Sequence, residues 1–331
     1  MRREKTLTIS VAAYNMENYL RKALDSLCDS DVLSHIEVFV IDDGSTDETY
    51  SIAQEYAAAY PDTFFAIHKE NEGYGSTVNW SLKHATGKYF KILDADGWFV
   101  QEGLKKLVRF LEITSADIVV TPYWEGPRAG KMQIKNKRPV NEGIQSVDCL
   151  KNATSLIMYE LAIKTSILRQ NKILLPHRRL YTDAYMCVMP LKSARTVQFL
   201  PDPVYCLWYG RFGQSMSPTS LINHVDDLLQ NHNELIEFCN QEQGSANYQT
   251  MVHQVSALYN FIISVALKHF PVSQNTRDFI IQQEQKARAS NHDIYRDAIS
   301  HKSKTALYLR LMRMTGYRSY WLMRIMRFAR T

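Results

Sequence analysis

Two kinds of apolar pattern alternate through the first hundred residues. "TLTISVAAY" (Thr6–Tyr14), "IEVFVIDD" (Ile36–Asp43), "TFFAIHKE" (Thr63–Glu70) and "KYFKIL" (Lys88–Leu93) are short apolar runs that read as strands. Between the first two, "NMENYLRKALDSLCDS" puts Tyr19, Leu20, Ala23, Leu24 and Leu27 at helical spacing, with Asn15 or Asn18 as cap. A second helix is predicted from about Asp47 to Tyr60, closed by Pro61, and a third over "GYGSTVNWSLKHATG", opened by glycine and ended by Gly87. The order β-α-β-α-β-α-β predicts an α/β fold with a mainly parallel sheet flanked by helices.

The pattern then changes. A helix ("EGLKKLVRFLEIT") and a strand ("ADIVVTPYW") lead into a polar stretch with Gly126, Pro127 and Gly130, then mixed elements to about Ser217. Beyond Leu221 strand signals give way to "LINHVDDLLQNHNELIEFCNQ", "YQTMVHQVSALYNFIISVALKHF" and "TRDFIIQQEQKARA", all helical. Pro218 breaks the chain between the two regimes, so the expected division is an α/β domain over 1–220 and a C-terminal α-helical extension over 221–331. The most apolar segment, "VSALYNFIISVALKHF", is interrupted by Ser256, Asn260 and Ser264 and falls short of the roughly 20 apolar residues of a membrane span.

Composition narrows the class further. The 331 residues are 45% hydrophobic and 22% charged, a globular balance. Cys28, Cys149, Cys187, Cys206 and Cys239 are isolated and odd in number, which argues against a zinc site or a disulfide framework and for a reducing compartment. "MRREKTLTISVAAYN" lacks the long apolar stretch of a signal peptide, so a cytoplasmic protein is expected. The net charge of +5 is unevenly placed. His301–Thr331 carries eight basic residues and no acid, leaving the other 300 residues at −3. No G-x-G-x-x-G follows the first strand and no G-x-x-x-x-G-K occurs, which excludes a dinucleotide dehydrogenase and a P-loop enzyme.

Parallel sheets bind ligands beyond the carboxyl ends of their strands. Asp42, Asp43, Asp94 and Asp96 all fall there. In "KILDADGWF" two carboxylates stand one residue apart, and like charges so close call for a cation. A divalent ion suits them. Mg2+ takes one or two carboxylates together with the oxygens of a bound phosphate, and such an ion neutralises a departing diphosphate. The plainer alternative is that both aspartates cap the next helix.

"VAAYNMENYLRKALDSL", "VFVIDDGSTDET" and "NEGYGSTVNWSLKHATGKYFKILDAD", in that order, resemble the family-two glycosyltransferases of the GT-A fold, and the resemblance covers about residues 6–217. It implies transfer of one sugar, with inversion, from a nucleotide-sugar (a UDP-sugar is expected) to an acceptor hydroxyl, with residues 1–97 as the nucleotide-sugar half and 98–220 as the acceptor half. By the resemblance, Ala12, Ala13 and Tyr14 line the nucleotide pocket, Asp42 or Asp43 bonds the base, and Asn71, Gly73 and Asn79 border the donor. Asp94 and Ala95 face the ribose or sugar, and Asp96, with Asp94, holds Mn2+ or Mg2+. "HRRLYTDAYMCVMPLKSARTVQFLPDPVYCLWYGRFGQSMS" resembles the region of the family's general base, which puts Asp183 in that role. Arg211, with Gln214 and Ser215, is expected near the diphosphate. The bland alternatives are a helix cap for Asp183 and a surface ion pair for Arg211.

The chain departs from the family pattern at Gly97 (usually a third acid), Thr182 (usually Glu) and Val78 (usually Arg), and it lacks the processive Q-x-x-R-W signature. The resemblance implies a saccharide or lipid-linked acceptor in cell-surface polysaccharide or teichoic-acid assembly. The tail over 302–331 reads as a basic amphipathic segment for an anionic membrane surface, or else for packing on its own domain or a second subunit. The basic charge is confined to one segment and no nucleic-acid motif accompanies it, so no nucleic-acid partner is expected. Two rival readings stay open: a nucleotide-sugar-binding partner without turnover, and a D-x-D-G phosphatase of the haloacid-dehalogenase type.

Overall fold

The computed structural model describes residues 5–127, 130–138, 143–152, 155–211 and 213–317. The chain divides into two compact units, Met1–Val147 with Leu156–Phe212, and Asp148–Ser155 with Gly213–Thr331. The division near residue 212 falls a few residues before the expected 220.

The first unit is built on β1 (Leu7–Ala13), β2 (Ile36–Asp42), β3 (Phe64–His68), β4 (Tyr89–Asp94), β5 (Trp98–Phe99), β6 (Ile118–Val120), β7 (Tyr123–Pro127), β8 (Gln133–Lys135), β9 (Gln145–Ser146), β10 (Leu161–Lys164), β11 (Thr196–Phe199) and β12 (Tyr205–Tyr209). Eight of them form one sheet in the order β3-β2-β1-β4-β10-β6-β11-β9. The four strands read from the first hundred residues pair in parallel, as expected. The second half is mixed, because β10 runs antiparallel to both β4 and β6. Helices Leu20–Asp25, Thr49–Ala59, Tyr74–His84 and Gln101–Ile113 connect or follow these strands. β1 and β2 are buried along nearly their whole length because both faces are covered, which is why their sequence runs are continuous rather than alternating.

The predicted strand over 116–124 is split. Pro122 has no N–H to give to a ladder, and the chain changes sheets there. β6 stays in the large sheet, while β7 joins a second sheet in the order β5-β12-β7-β8. At the amino-terminal rim Glu37 is fully satisfied: it accepts hydrogen bonds from Thr8 Oγ1 (2.5 Å), Thr86 Oγ1 (2.7 Å) and Gly87 N (3.0 Å).

The second unit is helical: Val225–Gln241, Tyr248–His269, Gln274–Ser290, His292–Asp297 and Lys304–Met314. Polar caps set several starts. Ser273, Asn291 and Ser303 each accept from the backbone N–H three residues on. Helix Tyr248–His269 begins well before the apolar segment singled out in the sequence. By length and apolarity it matches a membrane span, but 83% of its most apolar stretch is buried inside the protein. Its Tyr259, Ile263 and Ala266 pack with Ile280, Tyr308 and Leu309.

The basic tail contributes to this core over its described part. Tyr308, Leu309 and Met312 are buried, and Arg313 forms a bidentate pair with buried Glu284 (2.6 and 2.9 Å). Residues 318–331 of the expected amphipathic tail lie outside the described residues. In the same unit the His253 and His301 rings stack at 4.2 Å and 13° and share the Asp297 carboxylate. In-plane lone pairs of near-parallel rings do not converge on one point, so the trio reads as a hydrogen-bonded strut rather than a cation cage.

Candidate functional site

The parallel register brings the sequence motifs to one rim. Ala13 lies opposite Asp42 and Ala12 opposite Asp94, so the carboxyl ends of β1, β2 and β4 stand side by side. The loops leaving β1 and β2 are tied to each other. Asn15 turns the first loop at φ +52°, a conformation Asn tolerates better than other side-chain-bearing residues. Its Oδ1 accepts from Thr46 N (3.0 Å), and its own N–H donates to Ser45 Oγ (2.9 Å). Glu17 N donates to Asp47 Oδ2 (3.1 Å), and Glu48 N donates to Glu17 Oε2 (3.1 Å). Tyr14 precedes these ties, with its side chain exposed.

Asp42 and Asp43 are both buried and both engaged. Asp42 accepts from Ser45 N (3.2 Å), and its second oxygen lies 2.6 Å from His68 Nδ1. Asp43 takes Lys69 Nζ (2.7 Å), Glu72 N (3.1 Å) and Gly73 N (2.8 Å). It therefore clasps the "NEGYG" loop. Gly73 needs its freedom, with φ +86° and a would-be Cβ only 3.0 Å from Arg178 N. Asn71 is exposed on that loop. Asn79 uses its amide to clamp Leu175: Nδ2 donates to Leu175 O and Leu175 N donates to Oδ1, both at 2.8 Å. A hollow of about 520 Å3 borders Asn79, Trp80, Arg169 and His177, and none of the four acids of the motifs lines it.

The acids of "LDAD" stand differently. Asp94 ends β4, Ala95 is buried, and Asp96 meets Arg211 Nε at 2.8 Å with both side chains mostly covered. The Arg211 guanidinium lies 5.2 Å from the Tyr19 ring. Burial pushes the Asp94 carboxyl up to about 7, with Asp96 and Asp183 adding to the rise and Tyr205 and Arg211 opposing it. Asp183 precedes the short helix Ala184–Val188 without a capping bond to it, so the capping alternative is not realised. Burial raises its pKa too, offset by nearby backbone N–H groups of Asp183 and Ala184. Asp96 and Asp183 both bear on Asp94, and the ligand atoms of the three do not all lie within 4.8 Å of one another. Hard oxygen donors with more negative than positive charge fit a divalent cation at Asp94 and Asp96.

Sequence reasoning missed the tyrosines around this group. Tyr205 Oη accepts from Asp94 N and donates to Asp94 Oδ2, both 3.1 Å. Gly97 makes room for it, because a Cβ there would stand 2.7 Å from that hydroxyl. The departure from a third acid thus has a steric cause. Tyr74 and Tyr159 are partly buried, and Asp94 and Asp183 raise both phenols beyond the effect of burial. Lys91, also inside, donates to Tyr159 O (2.8 Å) and Leu161 O (3.1 Å), and burial lowers its pKa to about 7. Lys22 lies between Trp98 (3.3 Å) and Trp208 (3.6 Å), bracing the short strand after Asp96 against the strand before Arg211. Thr182, in place of the family's Glu, is buried with an unpartnered hydroxyl among the described residues. No spacing rule connects residues so far apart in sequence.

The chain is similar to known proteins. The profile of Glycosyl transferase family 2 matches residues 8–181. "Glycosyltransferase GlyA" of Streptococcus pneumoniae is 35% identical over 118 residues, 36% of this chain and 17% of that protein. The poly(ribitol-phosphate) beta-N-acetylglucosaminyltransferase TarS of Staphylococcus aureus is 26% identical over 218 residues, 63% of this chain and 36% of that protein. The chain thus spans about a third or less of the length of these curated relatives. Among solved structures, TarS 1–349 with UDP-GlcNAc superposes with a TM-score of 0.52 at 19% identity, covering 89% of this chain and 90% of that one. A mannosyltransferase from Pyrobaculum calidifontis with GDP-Man and Mn2+ gives 0.53 at 18% identity, covering 97% and 86%. With a family profile over more than half the chain, the motifs on one rim and these fold neighbours, the chain belongs to glycosyl transferase family 2 and has the GT-A fold.

Proposed function

We propose that this protein transfers a single sugar from a nucleotide-sugar to an acceptor hydroxyl with inversion at the anomeric carbon. The observation that carries the reading is the set of three partly buried carboxylates, Asp94 and Asp96 at the end of β4 and Asp183 bearing on Asp94, with Arg211 on Asp96. Ala12, Ala13 and the exposed ring of Tyr14 line the base and ribose. Asp42, Asp43, Gly73 and Asn71 border them. Asn79 acts at one remove by holding Leu175. Asp94, Ala95 and Arg211 face the sugar and diphosphate. Asp96, with Asp94 beside it, holds Mn2+ or Mg2+, which supplies positive charge to the diphosphate when bound. Asp183 takes the acceptor's proton as its oxygen attacks the anomeric carbon, and the nucleoside diphosphate leaves from the opposite face. The UDP-GlcNAc held by TarS favours a UDP-sugar as donor. A cell-surface saccharide or lipid-linked acceptor at the inner face of the membrane completes the reading, and the basic residues of 318–331 are proposed to meet its anionic surface.

The test is Asp183→Asn. General-base removal is expected to cut turnover about 10²- to 10⁴-fold, while the heat midpoint still rises with UDP and Mn2+. Wild-type turnover in the variant, measured as UDP release with a saccharide acceptor, would falsify the assignment. A wild type stabilised by no nucleotide would remove the donor reading altogether.

A further inference from the structure

Helix Tyr74–His84, helix Thr165–Gln170 and the turn after it line the hollow of about 520 Å3. That size falls in the range of small-molecule sites, about 300–1,000 Å3. Its apolar lining is Trp80, the buried Leu82, Leu168 and Ile173, and Leu174, which is 68% exposed. The polar side chains beside them are committed elsewhere. Ser76 Oγ donates to Gly73 O (2.7 Å), Lys69 is held by Asp43 (2.7 Å), and the Asn79 amide is taken at both ends by Leu175. Trp80 gives one face to His84, stacked at 3.9 Å and 24°. The lining is therefore poor in groups that could read the edge of a base or a sugar.

Three of its cations are in the opposite condition. Among the described residues Lys83, Arg169 and Lys172 have no acidic partner, and Arg169 gives one nitrogen to Ala85 O. Lys83 and Arg169 occupy the last turns of their helices, which favours a cation in any case. Lys172 has a different setting. It holds φ +48° in the turn that ends its helix, where glycine is the default, so a side chain is kept there against a backbone cost. The one acid of the lining, Glu72, faces Lys69 (3.5 Å) and His177 (3.8 Å).

Apolar walls with unpaired cations around them suit a molecule that has a hydrocarbon chain and an anionic head. We propose that this hollow binds a single-chain lipid phosphate, with the hydrocarbon on the apolar lining and the phosphate met by Lys83, Arg169 and Lys172. The basic end of this chain does not suit the hollow, since His301–Thr331 has no acid to meet those cations. None of the four motif acids lines it, so the site goes beyond the glycosyl-transfer reading and does not depend on it.

The test titrates dodecyl phosphate, octyl phosphate and inorganic phosphate into the full chain by calorimetry, each amphiphile below its micelle concentration. One site per chain is expected. Dodecyl phosphate binds about 10²-fold tighter than octyl phosphate, because four more methylenes leave water, and inorganic phosphate gives no measurable heat. Lys83→Glu combined with Lys172→Glu weakens dodecyl phosphate about 10- to 100-fold and leaves the heat midpoint unchanged. Leu174→Asp, at an exposed position, also weakens it. Affinity independent of chain length overturns the proposal, and so does affinity unmoved by the lysine reversals. Inorganic phosphate bound as tightly as dodecyl phosphate overturns it in favour of a plain anion patch. Binding to phosphatidylglycerol vesicles with none to the monomeric amphiphiles overturns it in favour of a membrane-facing surface. If the lysine variant melts lower, Leu174→Asp decides alone, and undiminished affinity in that variant overturns the proposal.

Discussion

The helical unit and the carboxyl end of β4 treat covered acids in opposite ways. In the helical unit Glu284 receives Arg313 in two bonds, Tyr259 Oη (2.6 Å) and Tyr317 Oη (3.2 Å). Asp297 receives Ser256, Ser300 and two histidines, which hold its carboxyl far below the usual carboxylate range. At the parallel-strand rim, three acids crowd with Arg211 on one of them, and the Asp94 carboxyl is pushed up to about 7. A saturated acid holds helices together. An acid left short of partners is poised for a ligand that brings positive charge or hydroxyls.

Four perturbations sharpen this contrast. The largest effect is expected from Asp96→Ala, which removes the carboxylate proposed to hold the metal: turnover falls about 10²- to 10³-fold or more, and Mn2+ no longer raises the heat midpoint in the presence of UDP. A variant that keeps its Mn2+ response would place the ion elsewhere. Next comes Arg313→Met, which strands buried Glu284. A loss of about 3–5 kcal/mol is expected in urea unfolding of the helical unit, with UDP affinity unchanged. An unfolding curve like wild type would show that the pair does not hold the helices.

Gly97→Ala is smaller. The new methyl meets Tyr205, and a cost of about 1–3 kcal/mol is expected, along with weaker donor binding by calorimetry. Smallest is Asp94→Asn in metal-free protein. Between its ordinary value of 3.8 and about 7, folded Asp94 keeps a proton that the unfolded chain releases. Its contribution is therefore present below pH 3.8 and is lost as pH rises through 7. The variant should melt about 2–4 °C higher than wild type at pH 8 and show no difference at pH 4. A constant offset at both values would rule out the titration account.

The parallel rim was legible in the sequence because each half-motif follows an apolar run that cannot be anything but a buried strand. "IEVFVIDD" and "KYFKIL" plus "DAD" needed no partner information to place Asp42 and Asp94 at strand ends. What could not be read was long-range. Arg211 reaches Asp96 across 115 positions, and Tyr205 reaches Asp94 across 111. Asn79 shows the limit from the other side. Its position in the motif suggested the donor, while its amide is occupied by Leu175. The tail left two courses open, a surface or packing on its own domain, and Arg313 takes the second by neutralising a buried glutamate.

The contact between Gly97 and Tyr205 also constrains how such a site can change over generations. An acid or any other side chain at 97 collides with a phenol that is itself fully buried. Losing the phenol hydroxyl first unties Asp94 at both its amide and its carboxylate. Each single step is costly in this chain, so an acid at 97 is compatible with the site only when position 205 changes with it.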